Sequence, residues 1–127
     1  IYYSMTYYIF QYWNAAMLNL FYPYLSFLFS GVVLLLFLII ITFFWKISIH
    51  AASISGLCGG MMAESLIAQA VSGQQEVIFI NIILLILIGI VCFSRIYLKA
   101  HTLYQTIAGM ILGFSLVFVV VFFKIYI

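Results

Sequence analysis

The chain has 127 residues, of which 69% are hydrophobic and 5% charged, and its formal net charge is +2. Soluble domains carry about a quarter charged residues, so four basic and two acidic side chains cannot form the polar surface that a water-soluble fold needs. The composition therefore predicts an integral membrane protein, and the weak, scattered charge excludes a nucleic-acid-binding surface, which requires clustered Lys and Arg.

A spanning helix needs about 20 apolar residues, and a charge at its centre costs roughly 3 kcal/mol. The few charged and turn-forming residues therefore mark the ends of the spans. On this basis the sequence predicts one all-α domain over 1–127, a polytopic transmembrane helical bundle with about five spans. The predicted spans are 2–22, 24–45, 47–71, 77–93 and 102–123.

The first segment, 2–22, is rich in tyrosine and contains Trp13. We interpret it as a span; an interfacial helix is the alternative, although the segment lacks the basic face that such helices use to hold anionic headgroups. Pro23 is the only proline and is expected to separate the first two spans. Trp45-Lys46 is an aromatic and basic pair typical of a membrane interface, so it closes the second span.

The third span carries small residues three or four positions apart, from Ser48 to Ala63, and Gly109 and Gly113 repeat the pattern in the last span. Such stripes allow helices to approach closely, so we interpret both as packing surfaces. Residues 72–76 predict a polar turn. Glu64 is interpreted as a carboxylate near the opposite interface that pairs with a neighbouring polar group or reaches water, and Cys58 and Cys92 as buried small hydrophobes.

Alternating the spans across the bilayer places the two histidines, His50 and His101, on one side. Lys46, Arg95 and Lys99 are predicted on that same side. Histidines, an arginine and lysines without a nearby carboxylate suit an anion, because arginine forks onto phosphate oxygens and a histidine pair supplies a nucleophile and a proton donor. The alternative is that the cations only snorkel to the interface and the histidines satisfy local hydrogen bonds.

Two segments resemble signatures of the type 2 phosphatidic acid phosphatase (lipid phosphate phosphatase) family. The run from Ser94-Arg95 through His101 to Gln105 is similar to the third signature, which is Ser-Arg, five residues, His, three residues, Asp, and it matches three of the four fixed positions. Ser48-Ile49-His50 is similar to the second signature, Pro-Ser-Gly-His, without its proline and glycine.

The resemblance implies a divergent bacterial-type member with a six-helix core, which hydrolyses lipid or polyisoprenyl phosphate esters through a phosphohistidine, without a metal or other cofactor. Carried over by position, it makes His101 the nucleophile and His50 the general acid. Gln105 stands where the aspartate orients the nucleophile, four residues after His101 and so on the same predicted helical face. The implied phosphate-binding residues are Arg95, Ser48, Ser94 and Lys46.

The sequence departs from the family pattern at two places. Glutamine at position 105 has no charge to stabilise an imidazolium, and the first signature, Lys, six residues, Arg-Pro, is absent, since no Lys or Arg precedes Lys46. We expect that the natural chain extends upstream of Ile1 and that the missing cations lie there, with Lys46 as a partial substitute.

The sequence is compatible with three functions. The first is the phosphatase, acting on a phospholipid or isoprenyl phosphate among membrane lipids. The second is a catalytically degenerate relative that serves as a structural subunit of a larger membrane complex, with other membrane proteins as partners. The third uses His50 and His101 as axial ligands to a b-type haem. The resemblance implies the bacterial inner (plasma) membrane, with the site facing the periplasm.

Overall fold

The fold is a bundle of helices, as predicted. A computed structural model describes residues 2–72 and 78–125, and within them there are helices and connecting turns but no strands. The helices are α1 (Tyr2–Phe44), α2 (Ile49–Ser72), α3 (Ile78–Tyr97) and α4 (Leu103–Phe122). The predicted turn at 72–76 lies, from Gly73 onward, outside the described residues.

Four helical stretches are long and apolar enough to cross a membrane. They are Tyr24–Phe44, Ile49–Ala70, Ile78–Tyr97 and Leu103–Phe122. These four correspond to the second to fifth predicted spans and confirm the all-α transmembrane architecture, whereas the first predicted span, 2–22, is not among them. Helices of about 20 apolar residues are stable in lipid and not in water, so the chain is an integral membrane protein.

The predicted helix boundary at Pro23 is wrong. Helix α1 runs without interruption for 43 residues, which at 1.5 Å per residue is about 64 Å, roughly twice the hydrocarbon thickness of a bilayer. A proline removes one amide donor and fixes φ near the helical value, and helices in apolar surroundings tolerate that loss. Residues 2–22 therefore form the N-terminal half of α1 rather than a separate helix.

The closest packing in the bundle is between α2 and α4. A methyl group on Gly109 would lie 2.6 Å from the Ser48 carbonyl oxygen, and one on Gly113 would collide with the Ala52 carbonyl. The partner residues advance by four on both helices, so α2 and α4 run parallel. The small-residue stripes are thus packing surfaces, as predicted.

Helices α1 and α3 pack against this pair in separate apolar clusters. The first cluster contains Leu34, Leu38, Ile47, Ala52, Ala63, Val117 and Val121. The second contains Ala51, Cys58, Leu84, Ile88 and Cys92, and both cysteines are free and buried, as expected. Because α2 contributes buried residues to both clusters, it links the α1 side of the bundle to the α3 side.

Polar groups also meet near the far end of α2. The Asn81 side-chain amide of α3 donates to the Ser65 hydroxyl of α2 at 3.1 Å. Glu64 lies within electrostatic reach of Lys124, but its buried Oε1 atom has no hydrogen-bond partner in the described part of the chain. The predicted polar pairing of Glu64 is therefore not seen for this oxygen.

Candidate active site

The connection between α3 and α4 forms one wall of the site. Helix α3 continues four residues beyond its predicted end at Phe93, since Ser94 and Arg95 remain in its last turn. It then closes with paired bonds in which the Ala100 amide donates to the Arg95 carbonyl at 3.1 Å and the Lys99 amide to the Ile96 carbonyl at 3.0 Å. This is a Schellman ending, and it folds the chain back at Lys99.

The turn brings His101 back onto the end of α3. Its amide donates to the Arg95 carbonyl at 3.4 Å, so two residues that the third signature separates by five positions are joined through the backbone. This part of the site is consequently built by local hydrogen bonds and needs no long-range contact.

Helix α4 begins with a reciprocal capping box. The Thr102 hydroxyl accepts from the Gln105 amide at 3.3 Å, and the Gln105 side-chain oxygen accepts from the Thr102 amide at 3.0 Å. Because α4 begins at Leu103, His101 precedes the helix. The prediction that His101 and Gln105 share a helical face is therefore wrong, and the Gln105 oxygen is engaged in capping.

The connector between α1 and α2 approaches the same end of α4. The Ser48 amide donates to the Gln105 backbone carbonyl at 3.3 Å, which joins the second-signature segment to the third. Ser48 is fully buried, and its hydroxyl oxygen accepts from the Ala51 amide at 3.4 Å. In this structure Ser48 caps α2, and its phosphate-binding role stays a prediction.

A cavity of about 410 Å³ lies where these segments meet. Its lining residues come from the α1–α2 connector, the last turn of α3, the α3–α4 connection and the first turn of α4. They are Lys46, Ile96, Lys99, Ala100, His101, Thr102 and Gln105. Three of the predicted site residues, Lys46, His101 and Gln105, are thus brought together around one space that contains two lysines and no carboxylate.

Two buried nitrogens, one in the last turn of α3 and one in the α3–α4 connection, lack partners, and of their two residues His101 lines the cavity whereas Arg95 does not. Arg95 Nε and His101 Nδ1 are both inaccessible to solvent, and neither has a hydrogen-bond partner among the residues described. A buried polar atom without a partner costs about 1–3 kcal/mol, so native structures rarely leave such an atom unmet by a water, ion or ligand. Both nitrogens are therefore donors or acceptors that the described part of the chain leaves unused.

The other predicted site residues lie outside this cavity. His50 is exposed in the first turn of α2 and does not appear among the side chains that line the cavity. The Ser94 hydroxyl donates to the Val91 carbonyl at 2.9 Å, an ordinary helical contact. Since the two imidazoles do not line one space, the structure offers no support for a haem between His50 and His101.

Four lining residues were absent from the predicted site, the apolar Ile96 and Ala100 and the polar Lys99 and Thr102. Thr102 had a recognisable signal, because Thr-x-x-Gln before an apolar run is a capping-box pattern. Lys99 was grouped with the cations but given no role; its φ of 53° has no sequence signal, because glycine is the usual residue there.

Comparisons with known proteins gave one match. The family model described as the PAP2 superfamily matches residues 2–126. No curated protein matches the chain, and neither does any solved structure.

Proposed function

This chain belongs to the PAP2 superfamily, and on that basis we propose that it is a membrane-embedded phosphatase for phosphate esters of lipids or polyisoprenyl carriers. The observation that carries the proposal is the pair of buried, unpartnered nitrogens, Arg95 Nε and His101 Nδ1. A phosphoryl group offers oxygens to both, and guanidinium is suited to phosphate by its planar fork of donors.

The charge around the cavity supports an anionic ligand. Lys46 and Lys99 line it, and the acidic residue in the described part of the chain, Glu64, lies 14 residues after His50 in the sequence, about 21 Å along α2. His101 and Thr102 also sit at the N-terminus of α4, where the helix dipole favours negative charge.

In the proposed reaction His101 attacks phosphorus. A P–N bond forms as the P–O bond to the alcohol breaks, and the alcohol oxygen takes a proton; water then cleaves the P–N bond and releases phosphate. His50, on the same membrane face, is the proposed proton donor, and Arg95 with Lys46 balances the charge on the phosphoryl oxygens. Ser48 and Ser94 complete the proposed phosphate-binding set.

Gln105 favours a second function, a catalytically degenerate subunit of a membrane complex. Its side-chain oxygen accepts the Thr102 amide, so it is occupied away from the imidazole, and it carries no charge. In the serine-protease triad, loss of the comparable carboxylate charge costs about 10⁴ in turnover. We therefore expect slow hydrolysis if the chain is an enzyme.

Phosphate release by the purified protein in lipid nanodiscs tests the proposal. With phosphatidate or an isoprenyl phosphate as substrate, His101→Ala should abolish release and His50→Ala should reduce it, while thermal unfolding shows that both variants remain folded. Tyr104→Phe, an exposed change in the first turn of α4, is the matched control and should retain wild-type release.

Two outcomes decide between the functions. Release that persists at the wild-type rate in His101→Ala contradicts the phosphatase proposal. The degenerate-subunit function predicts instead that the wild type releases no phosphate, binds no orthovanadate and purifies from its membrane with protein partners.

A further inference from the structure

Lys99 has an unusual backbone for its residue type. Two non-glycine residues in the described part of the chain have positive φ, Lys99 at 53° and Lys124 at 49°. L side chains rarely adopt this left-handed region, and at this position of a Schellman ending glycine is usual. The backbone of Lys99 is therefore strained in a way that a glycine at the same position would not be.

Lys124 supplies an internal comparison, because it closes α4 in the same way. The Lys124 amide donates to the Val121 carbonyl at 3.1 Å and the Ile125 amide to the Val120 carbonyl at 2.9 Å. A lysine near helix C-terminal carbonyls is favoured by the helix dipole, and this ordinary explanation applies equally to Lys99 and Lys124.

What separates the two lysines is their surroundings. Lys99 lines the cavity together with Lys46, whereas Lys124 lies beyond the opposite end of α4, within electrostatic reach of Glu64; all three lysines are exposed. Lys46 and Lys99 both border a cavity that no carboxylate lines. An anion in that cavity would be attracted by two ammonium groups and opposed by no acidic lining residue.

We propose that Lys99 and Lys46 form a two-lysine clamp for a phosphate group, and that the left-handed turn at Lys99 holds its side chain at the cavity. Lys46 belongs to the predicted phosphate-binding set, and Lys99 is the added member. The proposal rests on the proposed function for the identity of the anion, but the clamp is a binding device and does not require that hydrolysis follow.

The test compares Lys99→Gly with Lys124→Gly. Both changes place glycine at the same backbone conformation, so both variants should keep or raise the temperature of unfolding. Inorganic phosphate and orthovanadate binding, measured by titration calorimetry on the protein in nanodiscs, should weaken about tenfold or more in Lys99→Gly, as expected for a lost charge-assisted contact. In Lys124→Gly the affinity should match the wild type.

Lys99→Arg and Lys46→Gln extend the test. Arginine keeps the charge, so Lys99→Arg should bind within a few-fold of the wild type, while Lys46→Gln should weaken binding as Lys99→Gly does. Because the two lysines share one ligand, the double variant should lose less than the two single losses combined.

A second arm identifies the source of the phosphate group. Vesicles of phosphatidylcholine with and without phosphatidate are titrated against the same variants. Selective loss of phosphatidate binding in Lys99→Gly assigns the clamp to the lipid headgroup, and selective loss of inorganic phosphate binding assigns it to the free ion.

The clamp is overturned if Lys99→Gly binds both ligands as the wild type does, if Lys124→Gly loses affinity equally, or if the wild type binds no phosphate. Failure of the proposed function looks different. In that case the wild type binds phosphate through Lys99 but releases none from any lipid ester.

Discussion

The Ser48 amide and the Gln105 backbone carbonyl are joined by a hydrogen bond of 3.3 Å, which ties the start of α2 to the first turn of α4. This bond is possible because Gly109 admits the Ser48 carbonyl at a distance that a Cβ atom would forbid. The close packing of α2 against α4 therefore also brings together the two segments that carry the candidate site residues.

Gly109→Ala should destabilise the bundle. A methyl group there would lie 2.6 Å from the Ser48 carbonyl oxygen, and such overpacking costs about 1–3 kcal/mol because backbone must move. We expect a lower temperature of unfolding by circular dichroism in detergent. Gly89→Ala is the control, since nothing lies within 4 Å of its added Cβ; equal unfolding temperatures for the two variants would contradict the close approach.

Thr102→Ala should weaken the start of α4. It removes the hydroxyl that accepts the Gln105 amide, and loss of such a cap costs about 1 kcal/mol. Gln105→Glu preserves the capping-box chemistry and should unfold close to the wild-type temperature. Gln105→Ala should instead unfold at a lower temperature, as Thr102→Ala should. If Gln105→Ala is as stable as Gln105→Glu, the side chain of Gln105 does not cap the helix.

Arg95→Lys should lower affinity for orthovanadate although the positive charge remains. The variant lacks the buried Nε donor, which has no partner among the described residues, and a hydrogen bond to a charged group contributes about 1.5–3 kcal/mol, or roughly 10- to 100-fold in affinity. Calorimetric titration measures the change. Wild-type affinity in Arg95→Lys would show that the Nε atom does not contact the ligand, and Lys124→Gln controls for net charge.

Leu98 and Ile125 should be labelled from opposite sides of the membrane. Both are exposed, and they follow the C-terminal ends of α3 and α4, which run in opposite directions. In intact bacterial cells that express the protein, a membrane-impermeant maleimide should react with Leu98→Cys, on the face that the family resemblance places in the periplasm, and should reach Ile125→Cys after permeabilisation.

The native Cys58 and Cys92 are buried, so the unaltered chain should give little background label. The reverse labelling pattern would place the site in the cytoplasm.

Much of the architecture follows from the sequence alone. Lipid burial is set by the local run of apolar residues, so the spans from Tyr24 to Phe122 could be located from composition and span length. Alternation of those spans then predicted that Lys46, Arg95 and His101 share one membrane face. The cavity lined by Lys46 and His101, with the Arg95 carbonyl bonded to the His101 amide, agrees with that prediction.

The continuity of α1 through Pro23 was harder to predict from the sequence. A proline marks a helix boundary in most soluble contexts, and whether neighbouring groups compensate for its missing donor depends on the surroundings rather than on the sequence around it. Pro23 therefore predicted a helix boundary, but the surroundings of α1 allow the helix to continue through it.

The sequence by itself determined the solvent and the positions of the four apolar spans between Tyr24 and Phe122, because each depends on side-chain chemistry along one helix. The tertiary structure alone decided that Ser48 is buried and that its amide donates to the Gln105 carbonyl. Both outcomes depend on how closely the backbones of α2 and α4 pass, and no local pattern specifies that distance.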